Sequence, residues 1–139
     1  MSAAPRSIAA DLLVRPGEEP WTDAELKEVR AELESEVASL RADLAKAASD
    51  IAERLTDAVR DAGDDTADAG TKAFEREHEL ALTQQARAML DQGERALTLI
   101  DAGTYGVCES CGKPIGKARL LAFPRATLCV ECKQREERR

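Results

Sequence analysis

Four cysteines stand in two close pairs, Cys108-Glu-Ser-Cys111 and Cys129-Val-Glu-Cys132, with 17 residues between the pairs. Two Cys-x2-Cys knuckles at this separation suit one tetrahedral zinc ion. Thiolates would fill all four positions, leaving none for substrate or reactive water, so the metal is expected to be structural and the chain around it to fold with metal bound. Redox chemistry or an iron centre are the alternatives. A second candidate group is acidic. Asp65 and Asp68 lie in Asp61–Gly70, a short stretch punctuated by Gly63 and Gly70. These two carboxylates are read as the working groups of the stretch, to be delivered by whatever flanks it.

Two long helical patterns must position these groups. Thr22 with Glu25 three residues on forms a capping box and predicts the start of the first helix. Leu26, Val29, Leu33, Val37, Leu40, Leu44, Ala48, Ile51, Leu55 and Val59 then recur in an 11-residue repeat. That period, about 3.67 residues per turn, predicts a nearly straight or slightly right-handed pairing. One narrow stripe calls for one partner helix. Thr22–Arg60 as helix would be roughly 58 Å long. The second helix is expected from near Thr71 to near Asp101, with Gly103 as the stop signal. Its weaker stripe reads Phe74, His78, Leu82, Ala86, Met89, Leu97 and Ile100. His78, the sole histidine, is therefore expected to pack rather than to serve as ligand or base.

The expected fold is mainly α: a long antiparallel coiled-coil hairpin, a small four-cysteine zinc-finger module and a short C-terminal helix. Residues 21–102 form the hairpin with its acidic tip at 61–70, and residues 103–139 the zinc finger and last helix. Residues 1–20, with Pro5, Pro16, Gly17 and Pro20, read as a flexible segment, with a short docked helix over Ser7–Val14 as the other option. A dimeric coiled coil broken at Asp61–Gly70 is the alternative to the intrachain hairpin.

Composition narrows the function. Aromatics are confined to Trp21, Phe74, Tyr105 and Phe123, too few for a large core, so a metal staple is plausible. Residues 1–103 carry 12 basic and 23 acidic side chains, a net −11, while residues 104–139 carry 8 and 4, a net +4. The acidic part repels phosphates, so sequence-specific DNA binding is not expected. No apolar run approaches the ~18 residues of a membrane span, and no signal-peptide core is present at the N-terminus, so a cytoplasmic protein is expected.

The run Gly103-Thr-Tyr-Gly-Val-Cys108-Glu-Ser-Cys111-Gly-Lys-Pro-Ile115, followed by Arg119, Pro124 and the second knuckle, resembles the zinc finger of the DksA/TraR family. The Asp65-x-x-Asp68 loop, with Asp68 40 residues before Cys108, resembles the same family's coiled-coil tip. The resemblance implies a bacterial transcription regulator, not an enzyme, that binds RNA polymerase directly. It would insert the hairpin into the secondary channel and modulate initiation from a tip made by Asp65, Asp68 and Gly70. The family's tip commonly ends in Ala where this chain has Gly70. The family's alarmone pocket has basic side chains at two positions that are Gln92 and Phe123 here, whereas Lys133 matches a third. Arg119 and Arg125 are further candidates for contact with polymerase or alarmone, and any response to guanosine tetraphosphate is expected to be weak. The alternatives are a transcript-cleavage factor of the GreA type, whose paired tip acids hold magnesium but which lacks this zinc finger, and a zinc-ribbon nucleic-acid binder using the basic C-terminal part.

Overall fold

The computed structural model describes residues 9–60 and 66–138, with side chains left aside at 58–60 and 66–69. In chain order a 3-10 turn, Ala9–Asp11, precedes α1, Asp23–Arg60, and α2, Thr66–Ala102. Two short helices follow, α3, Lys117–Ala122, and α4, Val130–Glu137. The described residues contain no strand, only an antiparallel bridge between Val107 and Pro114. None of their helices is long and apolar enough to cross a membrane.

The helix ends follow local chemistry. The Thr22 backbone N–H donates to Glu25 Oε1 at 3.0 Å, and the Glu25 N–H donates to Thr22 Oγ1 at 3.1 Å. This reciprocal box satisfies two donors that a helix start leaves without partners. At the far end of α2 the Thr104 N–H reaches Leu99 O at 3.0 Å and the Gly103 N–H reaches Ile100 O at 3.1 Å. That pair is a Schellman closure, and it needs the positive φ of 76° at Gly103. The start of α2 differs from expectation. Thr66–Gly70 belong to the helix rather than to a loop ending at Gly70. Ala67 and Ala69 are residue types that favour helix.

The chain divides into two compact units. The body, Met1–Val37 with Asp91–Arg139, holds the core. Val29 and Leu33 of α1 meet Ala96 and Ile100 of α2, and Trp21, Tyr105, Ile115 and Leu120 close around them. Trp21 and Tyr105 pack as tilted rings with centroids 6.0 Å apart. Buried Tyr105 satisfies its hydroxyl by donating to Pro124 O at 2.8 Å. Within the body the helices run antiparallel, with Arg30 of α1 paired to Asp101 of α2 and Val37 against Gly93.

The expectation of a flexible segment over residues 1–20 fails for the described part. Ala9 and Leu12 are buried with Trp21 in the core cluster, and Val14 packs against it. Glu18 reaches α3, where its Oε1 accepts from the Lys117 N–H and its Oε2 from the Ala118 N–H, both at 3.0 Å. A six-residue helix that begins after Gly116 has no capping side chain of its own, and the distant carboxylate supplies one. Lys117 then pairs with Glu25 at 2.7 Å and lies 5.9 Å from the Trp21 ring centre.

The second unit, Ala38–Leu90, is made of α1 and α2 alone. None of its described residues is buried. Leu40, Leu44, Ala47 and Ile51 of α1 and Glu79, Thr83, Ala86 and Leu90 of α2 are half-buried. Arg54 and Glu79 form an ion pair between the helices. The expected α2 stripe is corrected here: Phe74 and Leu82 are 73% and 53% exposed, and His78 is exposed rather than packed. The reason is geometric. Each four-residue step advances about 40° beyond a full turn, so three steps back from Ala86 put Phe74 about 120° off the seam. On α1 the expected stripe holds through Leu44 and again at Ile51, while Ala47 replaces Ala48 and Leu55 is 58% exposed.

Candidate metal centre and the adjoining hollow

The two knuckles are positioned by different elements. The first is a tight turn closed by the Cys108 N–H to Lys113 O at 2.8 Å and the Gly112 N–H to Cys108 O at 3.0 Å, with Gly112 at φ 74°. The second opens α4, where Cys129 caps the helix and Cys132 sits in its first turn. The Glu109 N–H to Thr127 O bond, at 3.0 Å, ties the two together.

All four Sγ atoms lie within 4.8 Å of one another, and Cys111 and Cys129 are 3.8 Å apart. A tetrahedron with Zn–S bonds of about 2.3 Å has edges of about 3.8 Å, so the cluster fits zinc. Cys108, Cys129 and Cys132 are buried while Cys111 faces solvent. Burial would push the Cys108 thiol up, but backbone N–H groups of Cys129, Cys111 and Ser110 outweigh it and bring the thiol down to about 6. Hydrogen bonding to the Cys129 side chain pushes Cys132 up to about 12. Metal binding must therefore displace at least one proton that the protein alone would keep at neutral pH. The chain holds one structural zinc ion at this cluster, with no open coordination position for chemistry.

Beside the metal centre lies an open hollow of about 550 Å³. Gln92, Arg119, Phe123, Arg125 and Lys133 all line it, together with Glu109 and Glu136. Two of its three cations are engaged. Arg125 Nε pairs with Glu36 of α1 at 2.6 Å, and its Nη1 donates to Gln92 Oε1 at 3.1 Å. Arg119 Nε donates to Leu128 O at 3.1 Å, and its guanidinium lies 5.8 Å from the Phe123 ring centre. Lys133 is exposed. Glu109 pairs with Arg95.

The acidic group is only partly described. Asp65 lies outside the described residues, Asp68 is placed as backbone in the first turn of α2, and Gly70 is exposed on that helix with open space around it. Sequence reasoning overlooked Glu18, Glu36 and Lys117. Glu18 and Glu36 act on segments about 100 and 90 residues away, and neither sits in a local motif that would have marked it.

Residues 103–138 match the model of the prokaryotic dksA/traR C4-type zinc finger. The chain is 43% identical over 65 residues to the RNA polymerase-binding transcription factor DksA of Caulobacter vibrioides, which covers 47% of this chain and 46% of that protein. It is 40% identical over 55 residues to the protein of the same name from Escherichia coli K12, covering 40% and 36%. The chain thus spans less than half the length of these curated relatives. Among solved structures, transcription factor DksA2 from Pseudomonas aeruginosa superposes with a TM-score of 0.65 at 29% identity, covering 84% of this chain and 85% of that one. The RNA polymerase binding protein and transcriptional regulator Dks from Chlamydia trachomatis, at 24% identity and a TM-score of 0.51, shares the fold.

Proposed function

Because the chain belongs to the DksA/TraR family of zinc-finger proteins, we propose that it is a transcription regulator that binds RNA polymerase directly. The observation that carries this reading is the joint match of zinc finger and paired helices to DksA2 over most of both chains. The protein acts by occupancy and charge rather than by catalysis. The zinc finger locks residues 104–138 onto the base of α1 and α2, and the paired helices enter the polymerase secondary channel. Asp65 and Asp68 bring carboxylates near the catalytic magnesium and its basic surroundings, where they alter initiation.

The hollow supports a weak response to guanosine tetraphosphate. Phosphate recognition rests on converging Lys and Arg donors. Gln92 and Phe123 supply no cation, and Arg125 is engaged by Glu36. Lys133 is the exposed cation that remains.

Photo-crosslinking from position 70 to core polymerase tests the reading. Gly70 is exposed with nothing near its α-carbon, so a crosslinking side chain is accommodated there. Crosslinks to the subunits that line the secondary channel are expected. Crosslinks confined to the outer surface, or none, would refute insertion.

A further inference from the structure

The ion pair between Glu36 and Arg125 sits where two roles compete. Arg125 lies in the turn after α3 and lines the hollow beside the zinc centre. Its Nε is held by Glu36 from α1 and its Nη1 by Gln92 from α2. Arg125 and Glu36 are 27% and 30% exposed as side chains, so solvent screens this pair less than a free surface pair. A guanidinium offers a fork that suits a carboxylate and a phosphate equally well. Glu36 therefore occupies a donor, and neutralises a charge, that an incoming phosphate would use. The hollow's other acids do not do this. Glu109 is held by Arg95, and Glu136 is an exposed residue of α4.

We propose that Glu36 is an internal counterion that closes the hollow to phosphoanions, and so is the residue that sets its selectivity against them. The remaining cations support the assignment. Arg119 donates its Nε to Leu128 O and holds its guanidinium 5.8 Å from the Phe123 ring centre, and Lys133 is exposed. With Arg125 released, three cations would face a space of about 550 Å³. That volume admits a short polyphosphate chain. The inference rests on reading the hollow as a phosphate-accepting surface and does not depend on where the paired helices act.

The test uses the full zinc-loaded chain and inorganic tripolyphosphate as the probe, titrated calorimetrically at fixed salt. Glu36→Gln keeps the shape and can still accept a hydrogen bond from Arg125, so the fold is expected to survive, checked by zinc content and helical circular dichroism. The Glu36→Gln chain is expected to bind tripolyphosphate about ten- to a hundredfold more tightly than the parent, the range of one charge-assisted contact. Glu36→Gln with Arg125→Gln should return to the parent's affinity. Glu32→Gln, on the exposed surface of α1 nearby, controls for net charge. Three results would overturn the proposal: no gain in Glu36→Gln, a gain that persists without Arg125, or an equal gain in Glu32→Gln. Polymerase binding measured on the same variants separates failure of this inference from failure of the functional reading, since the substitution should leave the tip untouched.

Discussion

Gly93 of α2 lies so close to α1 that a β-carbon added to it would meet Val37 Cγ2 at 2.8 Å. Arg125 Cδ lies 3.9 Å from the same point, so the residue that pairs with both helices also covers this close contact. A glycine inside a helix costs about 1 kcal/mol against alanine, and here that cost is offset by close packing.

Gly93→Ala should consequently destabilise, although alanine is the better helix former. The β-branched Val37 is stiff at χ1, so the backbones must part, at about 1–3 kcal/mol. The double change Gly93→Ala with Val37→Ala should recover part of the loss. A single Gly93→Ala variant that melts above the parent would show that the helices separate freely there.

The seam should weaken from one unit to the other. Leu33 is fully buried and Leu55 is 58% exposed, although both fall on the same 11-residue stripe. Leu33→Ala should cost about 2–5 kcal/mol, whereas Leu55→Ala should stay within about 0.5 kcal/mol. Urea unfolding of the two variants decides it, and equal losses would contradict the uneven burial.

Metal removal should be visible at Trp21. The zinc cysteines share one core cluster with Trp21 and Tyr105. Cys108→Ser leaves an incomplete tetrahedron, so residues 104–138 should loosen and expose the sole tryptophan while α1 and α2 keep much of their helicity. The expected result is a red-shifted Trp21 emission with one zinc lost per chain. Unchanged emission after complete metal removal would mean that apolar packing alone holds the module.

Glu18 should contribute a pH-dependent clamp. Partial burial works against its charge, but N–H groups of Ala118, Arg15 and Lys117 donate to it and hold its carboxyl below the ordinary 4.5. A lowered folded value means that the clamp is complete above about pH 4.5 and is lost as pH falls through the folded value. Glu18→Gln should destabilise by about 1 kcal/mol at neutral pH, the usual worth of a helix cap. The gap between parent and variant should close in acid, and a gap that is constant with pH would show that the carboxylate's charge is irrelevant.

Asp65→Asn and Asp68→Asn change charge and hardly change size. Both variants should melt like the parent and bind polymerase nearly as well, yet lose their effect on initiation in a reconstituted transcription assay. Variants that regulate normally would reduce the two carboxylates to solvating groups.

What the sequence alone determined is local or covalent in period. Cys-x2-Cys spacing sets a knuckle, the Thr22–Glu25 box starts α1, Gly103 ends α2, and a 3-4-4 repeat marks the α1 face through Leu44. Each depends on residues within a few positions, where backbone geometry leaves few choices. Tertiary structure decided the rest. Phe74 and His78 carry an apolar stripe by spacing, but the seam on α2 follows Glu79, Thr83 and Ala86, because the partner's register selects which face is covered. The same holds for Ala9–Pro20, which resembles a tail until the core supplies a place for Ala9 and Leu12. Glu18 on α3 and Glu36 on Arg125 are contacts across roughly 100 residues. Such pairs exist only once the zinc module has folded back against α1, since burial and directed hydrogen bonds, unlike helix periodicity, are made between segments that the chain order keeps far apart.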